Sequence, residues 1–137
     1  MNTKDKELLL KDLCARLPYG VQAKVDGHYN PLRILGIARL NKSTWAWKKG
    51  TYVVSFWNDT KCIDQVKPYL RPMSSMTKEE DKEWQYYKNK IAESCDELLE
   101  ERIADCHNFF NSHHLDYRGL IEKGLALEAR KGMYKTE

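Results

Sequence analysis

Two adjacent histidines followed by an aspartate, a tyrosine and an arginine, in "HHLDYRGL" from His113 to Leu120, are the residue types from which metal sites and acid–base catalysts are built. A metal ion on one helix face wants ligands at i and i+4, whereas neighbours such as His113 and His114 diverge by about 100°. His107 and His114 share a face at i and i+7, but two turns hold them ~10 Å apart along the axis, too far for one ion unless the helix breaks. His107, His114 and Asp116 are therefore the candidate ligands, and a small metal-dependent hydrolase is the chemistry they would serve. The spacing favours structural roles: His113 extends an apolar stripe from Cys106 and Phe110, Asp116 caps a short helix, and Arg118 pairs with an acid of the preceding helix. No catalytic residue, metal or cofactor is assigned on these grounds.

A second set of residues suits binding. From Gly27 to Asn58 there is no Asp or Glu, against five cations, Arg33, Arg39, Lys42, Lys48 and Lys49. Tyr29, Trp45, Trp47, Tyr52, Phe56 and Trp57 are interleaved with them. Aromatic platforms flanked by Lys and Arg hold single-stranded nucleic acid, each stacked base contributing ~1–3 kcal/mol. On one strand Tyr52, Val54 and Phe56 share a face and Val53, Ser55 and Trp57 the other, so about half of these aromatics belong to a core. Between Lys78 and Asp105 ten acids face five bases. That acidic segment is expected to neutralise the basic one within the fold.

The elements that position these residues follow from periodicity. Thr3 is placed to cap a helix with Leu9, Leu10, Leu13, Cys14 and Leu17 on one face, ended by Pro18. "VQAKVDG" alternates as a half-buried strand, and "LRILGIARL" reads as a second, bent at Gly36. "WAW" at 45–47, the turn "KKG" and "TYVVSFW" predict a hairpin, and four or five such strands can curl into a barrel. "IDQVKPYLRPMSSMTKEE" reads as a rigid connector, because Pro68 and Pro72 force extended backbone before them. Thr77 and Glu80 form a capping box. Beyond it the stripe Trp84, Tyr87, Ile91, Cys95, Leu99, Ile103, Cys106 and Phe110 predicts one long helix, with Asp105 to Asn108 as the place for any break. Gly124 would end the short helix capped by Asp116, and "LALEA" would be a last strand closing the barrel.

At 137 residues the chain suits one domain: an N-terminal helix over 1–19, sheet and connector over 20–72, the long helix over 77–112 and a closure over 113–137. This is an α+β fold with a small antiparallel barrel-like sheet, a long amphipathic helix and a short C-terminal helix–strand closure. "MNTKDKELLLKDL" carries neither a signal-peptide apolar core nor a membrane span, which predicts a cytoplasmic protein with no membrane partner. Cys14, Cys62, Cys95 and Cys106 form no C-x-x-C pair and read as reduced, mostly buried thiols. No G-x-S-x-G elbow, phosphate-binding glycine loop, H-E-x-x-H or dinucleotide fingerprint occurs, so a binding role is expected ahead of catalysis.

Three stretches, "LLLKDLCARLPYGV", "IDQVKPYLRPMSSMTKEE" and "HHLDYRGLIEKGLALEA", resemble a family of short uncharacterised proteins of Bacteroidetes and their phages or mobile elements. The resemblance covers about a third of the chain and implies an intracellular bacterial or phage setting without bringing an activity. The expected function is that of an accessory protein engaging a protein partner or a second copy, with nucleic acid as the alternative ligand. Trp45, Trp47, Lys48, Lys49 and Arg39 are the binding residues expected to carry it.

Overall fold

The computed structural model describes residues 1–134. Helix α1 spans Thr3–Arg16, and the side chain of Asn2 caps it by accepting from Asp5 N at 2.8 Å. The cap thus lies one residue before Thr3, with an amide oxygen in place of a hydroxyl. Leu9 and Leu13 are fully buried on its inner face, while Cys14 faces solvent. A turn of 3-10 helix at Leu17–Tyr19 and the left-handed Gly20 then deliver the chain to the first strand.

Strand β1, Gln22–Val25, buries Ala23 and Val25 and exposes Lys24, the period-2 pattern of a strand with one wet face. It pairs antiparallel with β2, Leu32–Arg33, on one side. A second sheet contains β3, Gly36–Arg39, β4, Tyr52–Ser55, and β5, Thr60–Cys62, all antiparallel. "LRILGIARL" is therefore two strands in two sheets. The chain steps across at Ile34, which is buried and donates to Val21 O, and at Leu35, which donates to Ser55 O. "WAW" lies in the loop between β3 and β4 and not in a strand.

The proline-bearing segment is the main departure from expectation. Val66–Leu70 is β6, a buried inner strand lying antiparallel to β1 with Pro68 opposite Ala23. Extended backbone is what both a connector and a strand need, and burial of Val66, Tyr69 and Leu70 makes it a strand. The last strand, β7, Leu127–Glu128, pairs parallel to β6 past the proline, at Tyr69 and Leu70, giving the order β2-β1-β6-β7. It extends an edge, so the two sheets do not close into a barrel. They share one core, in which Leu9 and Leu13 of α1 meet Val21, Val25, Val54, Phe56, Val66 and Leu70 together with Leu120 and Leu125.

The expected long helix is a hairpin of two. Helix α2 spans Lys78–Ala92 and α3 spans Asp96–Ser112, so the break falls at Glu93 to Cys95 and not at Asp105 to Asn108. Folding back lets the apolar stripe of α2 meet that of α3: Trp84 packs edge-on against Phe110 at 6.0 Å, and Tyr87 lies 5.5 Å from Phe109. The freed carbonyl of Lys90 accepts from Ser94 Oγ at 2.6 Å and from Arg102 Nη1 at 2.8 Å, which satisfies the end of α2. The capping box is formed as expected, with Thr77 Oγ1 accepting from Glu80 N and Glu80 Oε1 accepting from Thr77 N. Thr77→Ala should cost about 1 kcal/mol and lower Tm by about 4 °C in a thermal melt.

Among the described residues no helix follows α3. Asp116 caps a run of turns instead, its two carboxylate oxygens accepting from Leu120 N at 2.8 Å and Ile121 N at 3.0 Å. The four cysteines are free, and only Cys106 is buried, where burial pushes its thiol pKa up. Among the described residues no helix is long and apolar enough to cross a membrane.

Candidate functional site: the cationic aromatic sheet and the histidine turn

Loop 40–51, between β3 and β4, is built by its own hydrogen bonds. Leu40 donates to Thr51 O at 2.9 Å and Gly50 to Leu40 O at 2.7 Å, closing the neck. Inside it Thr44 Oγ1 accepts from Trp47 N at 3.0 Å and Ala46 N at 3.2 Å, while Ser43 Oγ accepts from Lys49 N at 2.9 Å. Ser and Thr here close local turns that a sheet ladder cannot supply. Gly50 sits at φ 90°, and a Cβ there would come within 3.4 Å of Arg39 Nη2, so the glycine seats the Arg39 side chain against the loop.

This frame holds Trp45 fully in solvent, with Lys42, Lys48 and Lys49 exposed around it and Trp47 half-buried. The five expected binding residues, Arg39, Trp45, Trp47, Lys48 and Lys49, thus fall together at one end of the three-stranded sheet. At the other end, a short strand or ~13 Å away, Tyr29 and Trp57 are almost fully exposed and Leu35 is partly so. His28 Nε2 donates to Asp59 Oδ2 at 2.7 Å, tying the loop of Tyr29 to the turn of Trp57. That bond, with the Thr60 N–H and Lys61, holds the Asp59 pKa below its usual value, so the carboxylate beside these rings is already engaged.

The acidic helices do not cover this surface. Among the described residues none of Arg33, Arg39, Lys42, Lys48 and Lys49 forms an ion pair. The expected internal neutralisation fails because α2 and α3 pack on each other and α3 on α1, leaving Arg33 of β2, Arg39 of β3 and the lysines of loop 40–51 in solvent. Phe56 is buried and Trp57 is not, but the alternation does not run along β4, where Val53 and Val54 are both buried. Leu35 gave no sequence signal, because its exposure arises from the step between sheets.

The histidines are framework. His113 is the C-cap of α3, and His114 follows in the left-handed region at φ 61°. His114 N donates to Asn111 O and Leu115 N to Phe110 O, the two bonds of a Schellman turn, with histidine where glycine is usual. The imidazole of His114 is buried and lies flat on the ring of Tyr134, 3.6 Å between centroids. Burial first, then the charges of Arg16 and Arg71, lower its pKa to about 4. The Tyr134 hydroxyl accepts from Gln22 N and donates to backbone oxygen, binding the chain end to β1 and β6, and burial pushes its pKa up to about 12.

His113 Nδ1 faces Glu80 Oε2 at 2.8 Å and does not join the apolar stripe. Arg71 forks onto the same carboxylate with two bonds of 2.7 Å, and its guanidinium also donates to Ser75 O and His113 O. These contacts, led by the Arg71 hydrogen bonds, pull the Glu80 pKa down to about 2. Arg118 lies 3.7 Å from Asp12 of α1, not beside an acid of α2 or α3. Arg16, wholly buried, donates to Asp12 Oδ2 at 2.8 Å and Leu115 O at 2.7 Å, fastening α1 to the turn.

The three candidate metal ligands do not converge. His107 is exposed and stacks on Tyr117, His114 is under Tyr134, and both oxygens of Asp116 are taken by backbone N–H groups. Among the described residues no group of three His, Cys, Asp or Glu is arranged to hold a metal ion. No protein-family model, curated protein or solved structure matches the chain.

Proposed function

We propose that this protein is a binding module that acts by contact through the cationic, aromatic side of its three-stranded sheet, and that single-stranded nucleic acid is the ligand this surface fits. One observation carries the reading: five exposed cations without ion-pair partners among the described residues are interleaved with the solvent-facing rings of Tyr29, Trp45 and Trp57. A polyanion supplies the missing counter-charge, and its unstacked bases supply partners for separate rings. The rings stand at both ends of the sheet, which suits successive bases better than the contiguous apolar centre of a protein interface. The neck and Ser/Thr bonds of loop 40–51 hold Trp45 in place before any ligand arrives, which limits the entropy lost on binding.

Fluorescence anisotropy with a labelled oligothymidylate tests this. Binding should weaken linearly on a log–log plot against salt, and Lys48→Ala/Lys49→Ala should flatten the slope by about 1.4, at ~0.7 per single-strand contact. Trp45→Ala should weaken binding by about 1–3 kcal/mol, roughly 5- to 150-fold. Absence of binding at low ionic strength, or equal binding by the Trp45 variant, would end this reading. Self-association that depends on Trp45, seen by sedimentation without nucleic acid, would put a second copy in its place.

A further inference from the structure

The acidic half of the molecule holds a cleft that the nucleic-acid reading leaves unused. It lies where the 3-10 turn after α1 meets the helical hairpin, is an open hollow of about 460 Å³, and its walls include Tyr19, Tyr86, Tyr87 and Phe109 with the carboxylates of Glu83 and Asp105. The rings meet at angles: Tyr86 and Tyr87 lie edge to face at 5.6 Å and 73°, and Tyr87 tilts 35° to Phe109 at 5.5 Å. They form a corner and not a flat stack. One carboxylate comes from each helix, and neither is in an ion pair among the described residues. The phenol of Tyr87 is raised in pKa by burial and then by Glu83 and Asp105, so both negative charges act on this wall.

Ring faces and carboxylates attract the same kind of guest. Among the described residues no third His, Cys, Asp or Glu joins these two carboxylates to hold a metal ion, and an anion is repelled. A planar guanidinium is best served by one flat face, whereas a rounded ammonium fits a corner of rings. The helix already shows the preference, since Lys88 Nζ sits 3.9 Å over Trp84 and Lys90 Nζ 5.6 Å from the Tyr86 ring. We propose that this cleft binds an alkylammonium group, carried either by a free quaternary amine or by a lysine side chain.

The test is a two-dimensional NMR titration of the whole chain with tetramethylammonium chloride, against sodium chloride at the same ionic strength. Tetramethylammonium should shift resonances of the Tyr86–Tyr87 and Asp105–Phe109 segments saturably, and sodium should not. Tyr86→Ala, which removes an exposed ring, and Glu83→Gln/Asp105→Asn, which keeps the shape, should each weaken binding at least tenfold while leaving the melting curve and oligothymidylate binding unchanged. Shifts that match those of sodium, or affinity that survives both variants, would overturn the proposal. A short lysine peptide acetylated only at its N-terminus, which keeps the side-chain ammonium, titrated in parallel identifies the source: tighter binding than tetramethylammonium assigns the lysine side chain, weaker binding the free amine.

Discussion

Glu80→Ala should lower the unfolding free energy by about 3–5 kcal/mol, the cost of leaving a buried ion pair without one partner. Glu80 is only 5% exposed, accepts from Arg71 and the Thr77 N–H, and has His113 Nδ1 2.8 Å away. Those three groups come from the end of β6, the start of α2 and the cap of α3, so one carboxylate brings the sheet against both helices of the hairpin. Removing it strands the Arg71 guanidinium among carbonyls and loses one half of the capping box. Urea denaturation of Glu80→Ala beside the exposed neighbour Glu79→Ala, expected within about 0.5 kcal/mol of the parent, isolates the effect. In a double-mutant cycle with Arg71→Ala, the pair should cost clearly less than the two single losses added together. A Glu80 loss below about 1 kcal/mol would show that the junction is held by the apolar contacts of Trp84, Phe109 and Phe110 alone.

That junction marks where sequence reading stops. The capping box of Thr77 and Glu80 is local, four residues long, and was legible as such. That the same Glu80 also receives Arg71, 9 residues back, and faces His113 at the far end of the next helix depends on contacts which a local pattern does not encode. The helix stripe was equally legible in its residues and misread in its course. Trp84 to Phe110 keeps a helical repeat, yet the same repeat serves a straight helix and a hairpin, and what decides is that a lone stripe needs an apolar partner. The chain provides one by turning back at Glu93 to Cys95.

The sheet shows the complementary difficulty. β1 was readable from alternation and β4 from its β-branched and aromatic residues, but which strands pair was not, and β7 joins β6 in parallel at an edge where a closing strand had been expected. Pro68 and Pro72 correctly predicted extended backbone, and the burial of Pro68 beside β1 was invisible to a rule about φ and ψ. For the candidate surface, residue types and the acid-free stretch were visible; their freedom from the acidic helices was not, because it follows from where the hairpin packs. The histidine motif attracted attention for its chemistry, and its geometry has the opposite use: a Schellman turn, a ring stack and an ion pair close the fold.

Acid should unfold this protein in two steps whose windows are set by that same turn. His114 has its folded pKa lowered to about 4 from an ordinary 6.5, because the charged form is buried beside Arg16 and Arg71. The unfolded chain therefore binds the proton first, and stability that is complete above pH 6.5 is lost as pH falls toward 4. Glu80, lowered to about 2 from 4.5, adds a second loss of the same sign, beginning near pH 4.5 and ending near 2. Each lowering corresponds to about 3 kcal/mol, and together they rival the whole stability of a small domain. Urea midpoints at pH 7.5, 5.5, 4 and 3 should fall throughout in the parent. His114→Asn, which tolerates the left-handed backbone, should flatten the curve from 6.5 to 4.5 and keep the lower limb. A parent curve flat from pH 7 to 4.5 would mean that the imidazole reaches water when protonated, and the stack on Tyr134 would then have to open at little cost.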